Sequence, residues 1–146
     1  LTKEINDLIQ LLKNVADKLI QIQNITLNQS QILLSNEDED NKVTLLEEMN
    51  RYKEELTGEM ETIEKKFEER YFERRKGNIE KNVILVLQKN IQEILNLKKE
   101  VINLERTNVT IMQTKSKELL GPMKVIKNVN SAITAYKKFS KHSGSI

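Results

Sequence analysis

The chain has no cysteine and no tryptophan, one proline, one histidine and four glycines in 146 residues. Without cysteine there is no disulfide, no thiolate metal site and no cysteine nucleophile. So few turn residues argue against a sheet protein, in which a reversal is needed every few residues. Aromatics make up 4% against 38% hydrophobic and 32% charged residues, a balance typical of long exposed helices. The longest aliphatic run, Val83-Ile84-Leu85-Val86-Leu87, is far short of the roughly 20 residues that cross a bilayer. The first residues also lack the basic, apolar and small-residue zones of a signal peptide, which points to an intracellular protein.

The parts needed for catalysis are equally scarce. The one histidine, His142, lies in a Lys/Ser/Gly tail and reads as a solvated residue. Di-iron bundles require paired Glu-x-x-His units, so one histidine excludes them. Neither phosphate-binding glycine loop occurs, and the pairs Glu47/Glu48, Glu54/Glu55 and Glu68/Glu69 fall off the apolar stripes as solvated faces. The expectation is a protein without enzymatic activity, metal or cofactor. Three N-x-[ST] triplets, at Asn24, Asn28 and Asn108, are chance matches in an asparagine-rich chain.

What is abundant is helical periodicity. Leu1, Ile5, Leu8, Leu12, Val15, Leu19 and Ile22 recur at alternating spacings of four and three, one stripe with a period near 3.5 residues. The same register then meets Thr26 and Gln29 before Leu33, so the seam turns polar and predicts looser or wetter packing there. Asn36 to Asn41 reads as an interhelix loop whose acids favour the start of the next helix. A second stripe follows through Leu46, Met49, Lys53, Leu56, Met60, Ile63, Phe67 and Arg70, widened by Leu45, Tyr52 and Tyr71. Glu47, Glu48, Glu54, Glu55, Glu61 and Glu64 take its opposite face. Gly58, inside the pattern, is a tolerated weak spot.

Arg74, Arg75 and Lys76 before Gly77 mark a helix end, where cations complement the terminal carbonyls. With Arg70 they form a basic cluster, but no recognised motif surrounds it and the helix is acidic overall, so nucleic acid is not the expected partner. From Ile79 a third stripe runs through Val83 or Ile84, Leu87, Ile91, Ile94, Val101, Leu104 and Met112, toward Leu119 and Leu120, with Leu95, Ile102 and Val109 on an adjoining flank. Two apolar flanks predict that this helix contacts two neighbours and is the spine. Gly121-Pro122 ends or kinks it.

The expected fold is therefore all-α: an antiparallel bundle of three long helices over about 1–35, 42–76 and 79–120, with left-handed crossings near 20°. Residues 1–121 form the bundle, and 122–146 form a basic amphipathic C-terminal segment, a short helix with a flexible end. Charge is uneven along the chain. Between Asn36 and Glu61 ten acids stand against three bases, whereas from Pro122 onward there are five lysines and no acid. In that segment Ile126, Val129, Ile133 and Tyr136 make a ridge edged by Lys124, Lys127, Lys137 and Lys138. It reads equally as a fourth core helix or as a detachable segment that covers a groove or docks a partner.

The layout is similar to that of a known family. A long helix ends in Gln23-Asn24-Ile25-Thr26-Leu27-Asn28-Gln29-Ser30-Gln31-Ile32-Leu33, and an acidic turn leads to Leu45-Leu46-Glu47-Glu48-Met49. A third helix holds Leu104-Glu105-Arg106-Thr107-Asn108, and the tail carries Ser131-Ala132-Ile133-Thr134-Ala135-Tyr136. This order resembles the flagellar export chaperones of the FlgN and FliT type. The resemblance implies a bacterial cytoplasmic protein that binds the helical end of a secretion substrate, such as a filament-cap or hook-junction protein, and delivers it to the export machinery. It implies a partner-binding region at Ile126, Val129, Ile133 and Tyr136, with Val109 and Met112 lining the adjacent groove. Two other readings stay open: a structural coiled-coil segment of a larger assembly, with homo-oligomers possible, and a helical sensor domain whose polar seam at Thr26 and Gln29 receives a ligand.

Overall fold

A computed structural model describes residues 2–118, with side chains to 115. Three α-helices account for nearly all of them: α1 (Lys3–Leu34), α2 (Glu39–Arg75) and α3 (Lys81–Glu118). No strand occurs among the described residues. At 1.5 Å per residue each helix is about 50 Å long or slightly more. The all-α bundle of three long helices expected from the periodicity is what the chain forms. The C-terminal segment 122–146, with His142 and its lysines, lies outside the described residues.

Local chemistry sets the ends. Thr2 caps α1 by accepting the amide of Ile5 at 3.3 Å. The last turn of α1 has no basic residue of its own. Its partial negative charge is met instead from the neighbouring helices: Lys42 of α2 donates to the Leu33 carbonyl at 3.3 Å, and Lys115 of α3 donates to the same oxygen. Glu39 and Asp40 place acids at the start of α2, and Arg74 and Arg75 place cations at its end. The acidic turn is shorter than the sequence suggests, because α2 begins at Glu39 rather than near 42. Gly77 follows α2 without adopting positive φ, so this end needs no left-handed cap. A Cβ added at Gly58 would meet open space, so no close helix approach requires glycine there.

Cross-helix partners give the directions. Lys18 pairs with Glu59 and Gln29 with Asn50, so α2 runs antiparallel to α1. Gln23 pairs with Glu100 and Ser30 with Asn108, so α3 runs parallel to α1. One expectation is corrected here: the spine is α1, not α3. Backbones approach within 8 Å between α1 and α2 and between α1 and α3, but nowhere between α2 and α3 among the described residues. The second apolar flank of α3 does not meet a second backbone, and Leu85, Ile91 and Leu95 on that helix stay exposed.

The core is layered along α1. Ile5, Leu8, Leu11, Leu12, Val15 and Leu19 pack with Met60, Phe67, Val83, Leu87 and Ile94. Ile22, Leu56 and Val101 follow, and Leu33, Leu46 and Met112 close the other end. Between these last two clusters the core is polar.

Candidate functional site

The polar layer is built where the stripe of α1 passes through Thr26 and Gln29. Both are fully buried. Lys53 enters from α2 and Glu105 from α3, each 0% exposed, and their Nζ and Oε1 atoms lie 2.5 Å apart. Lys53 also donates to the Thr26 hydroxyl at 3.3 Å, and the Gln29 amide donates to Asn50 Oδ1 at 2.8 Å. Asn108 donates to the Thr26 carbonyl at 3.0 Å, and Ser30 donates to Asn108 Oδ1 at 2.5 Å. Among the described residues, three buried atoms of the layer lack a hydrogen-bond partner: Gln29 Oε1, Asn50 Nδ2 and Glu105 Oε2. With Asn108 fully buried in this network, its N-x-[ST] triplet is closed to modification in the folded chain.

Burial pushes the Lys53 ammonium down to about 8 from its ordinary 10.5, against the pull of the Glu105 carboxylate. Between these two values the unfolded chain binds a proton that the native chain does not, so the Lys53 contribution to stability grows as pH rises from about 8 to 10.5. Conversely it is lost as pH falls through the folded value. Urea melts across that range should show the stability of the native chain rising by about 1–3 kcal/mol relative to Lys53→Met. A difference independent of pH would show that Lys53 titrates as a solvated lysine.

Outside this layer, α2 and α3 leave a furrow between them. Their backbones stand apart, and long side chains span the gap: Lys53 to Glu105, and Lys98 to Glu64 at 2.9 Å. Glu64 therefore faces α3, a correction to its expected place on the far side of α2. On α2, residues three before or four after the gap-spanning Glu64 are Glu61 and Glu68, and the heptad continues to Glu54 and Glu47. All four are exposed, and none is ion-paired among the described residues. On α3, the same spacing from Lys98 and Glu105 gives Leu95, Ile102 and Val109. Leu95 is 48% exposed, and Ile102 and Val109 are half-buried.

The residues singled out from the sequence distribute as follows. Met112 is 2% exposed and belongs to the core with Leu33 and Leu46, so it is a packing residue in this arrangement. Val109 is half-buried against that cluster and borders the furrow. Ile126, Val129, Ile133 and Tyr136 lie outside the described residues. Sequence reasoning passed over Glu105 and Asn108, although both fall on the heptad that also carries Lys98, Val101 and Met112. The basic residues at the end of α2 have local partners: Arg74 reaches Glu4 at 3.4 Å, Lys76 reaches Glu73 at 3.3 Å, and Arg75 stacks over Phe72. Among the described residues no acidic or histidine cluster could hold a metal ion, and no helix is long and apolar enough to cross a membrane.

The geometry thus defines a three-helix bundle with a buried ionic layer and an α2/α3 side on which, among the described residues, the two backbones come nowhere within 8 Å of each other. Comparison with family models, with curated proteins and with solved structures gives no match to this chain.

Proposed function

We propose that this chain is a non-enzymatic protein-binding module that receives an amphipathic helix of another polypeptide along α2 and α3. The observation that carries the reading is the aliphatic row of α3, with Leu95 half in solvent, on the one side of the bundle where two helices lack backbone contact. A helix laid there would complete a fourth corner and cover that row, as helix-in-groove recognition does elsewhere. The resemblance to FlgN- and FliT-type proteins narrows the proposal to a bacterial cytoplasmic export chaperone that masks the helical end of a flagellar secretion substrate until export.

The test is calorimetric titration of the full chain with the helical ends of the filament-cap and hook-junction proteins of the same cell. Saturable one-to-one binding is expected, lost on Leu95→Asp while the thermal midpoint holds. Binding to none of these ends removes the export role. A second reading, a segment of a larger coiled-coil assembly, is favoured by Ile20, Leu27 and Leu34, which recur every seven residues on the exposed side of α1. An extended dimer or trimer in sedimentation, dissociated by Leu27→Asp, would support that reading; a compact monomer supports the first.

A further inference from the structure

The furrow has two banks, and they differ in charge. The α2 bank carries Glu47, Glu54, Glu61 and Glu68, seven residues apart and all exposed. On α3, one step outward from Leu95, Ile102 and Val109, stand Lys99 and Arg106, also exposed. Neither cation is ion-paired among the described residues, and no acid of the α2 bank reaches them. The bridges that do cross the furrow, Lys98 to Glu64 and Lys53 to Glu105, lie beneath this level with three of their four side chains under 10% exposed. The aliphatic row of Leu95, Ile102 and Val109 on α3 therefore lies between an acidic bank and a basic one, whose charges are not ion-paired among the described residues.

From this we infer that the furrow selects a partner helix with oppositely charged edges, a basic edge against α2 and an acidic edge against α3, and that the charges fix which way the helix points. This rests on the proposed helix-binding role and adds the partner's chemistry to it. The reason is geometric. Turning a helix end for end in a groove exchanges its two edges, so a helix with Lys/Arg on one side and Glu/Asp on the other matches both banks in only one direction. In the reverse direction every rim contact is between like charges, and like-charge juxtaposition acts against the wrong pairing. A helix with two basic edges matches α2 and is repelled by Lys99 and Arg106. In this chain's own residues 124–138 the only charged residues are lysines, a composition that would match one bank and not the other.

Three synthetic helical peptides with the same Leu/Ile ridge test this, one with Lys on one edge and Glu on the other, one with Lys on both and one with Glu on both. Fluorescence anisotropy at low salt with the full chain should rank the mixed-edge peptide tightest by about tenfold, the order of a few rim ion pairs. Salt should narrow the gap. With Glu54→Lys and Glu61→Lys together, the peptide with two acidic edges should become the tightest. A spin label at the peptide N-terminus should broaden resonances near one end of α3, and exchanging the two edges of the peptide should move that broadening to the other end. Equal affinity of all three peptides, with Leu95→Asp still abolishing binding, would overturn the charge selection and leave helix binding standing. No binding of any peptide would overturn both. Tighter binding of the two-lysine peptide than of the mixed one would show that a two-signed partner is not what the furrow selects and so overturn the inference.

Discussion

Replacing Lys53 by methionine should cost about 3–5 kcal/mol, whereas replacing Lys53 and Glu105 together, by methionine and leucine, should cost nothing or stabilise by about 1–4 kcal/mol. The asymmetry follows from burial. Both side chains are 0% exposed, and each offsets the other's desolvation. Remove the ammonium and Glu105 stays buried with one oxygen already without a hydrogen-bond partner among the described residues and the other deprived of its 2.5 Å contact. Remove both and the layer loses two desolvated charges and gains apolar volume beside Ile22, Leu56 and Val101. The reciprocal single change, Glu105→Leu, should be the milder one, because the Lys53 pKa already sits near 8 and the residue can release its proton when its partner goes. Urea denaturation followed by far-UV circular dichroism measures all four proteins on one scale. Additive single effects would mean that the pair is not coupled and would remove the ion pair as an organising element.

How far the sequence shows this arrangement depends on what a periodic pattern can encode. The stripe from Ile5 to Ile22 is legible because every position on it is apolar, and all seven of its core members from Ile5 onward, Leu11 included, are buried. The polar continuation through Thr26 and Gln29 is legible as a departure from the stripe but not as its meaning. A polar residue on a buried face is ambiguous until the facing helices are known, and Lys53, Glu105 and Asn108 are the facing residues that resolve it. Lys53 is visible on the second stripe. Glu105 and Asn108 escape because a search for aliphatic residues steps from Leu104 to Val109 and over them. Register alone would have found them: Lys98, Val101, Glu105, Asn108 and Met112 repeat the three-four spacing of α1.

The misplaced spine has a different cause. Apolar content measures how much surface a helix would remove from water, not where neighbours stand. The extra aliphatics of α3, Leu85, Ile91 and Leu95, are a surplus left in solvent. In contrast, α1 occupies the middle because both its flanks are covered, Lys18 by the acidic α2 and Gln23 by Glu100 of α3. The candidate furrow was half legible for the same reason. Its acidic row appears in the sequence as the solvated back of α2, and only the Lys98–Glu64 bridge shows that this row borders α3.

The largest change of all should come from making the whole layer apolar, with Thr26→Val, Gln29→Leu, Asn50→Leu, Lys53→Met, Glu105→Leu and Asn108→Leu combined. Thermodynamic stability should rise by several kcal/mol, because buried unsatisfied atoms and two buried charges disappear together. Order should fall. With the layer present, sliding α2 or α3 along α1 by one heptad, about 10 Å, would set Lys53 against leucines and leave Gln29 and Asn108 without partners. With aliphatics throughout, slipped and intermolecular pairings come close in energy to the native one, and uniformly apolar seams lose uniqueness before they lose stability. The expected result is a higher urea midpoint together with several species in sedimentation and broadened amide resonances. A variant that is both more stable and as monodisperse as the native chain, with the same helix register by distance measurements, would show that shape alone sets the register and that the polar layer is dispensable to it.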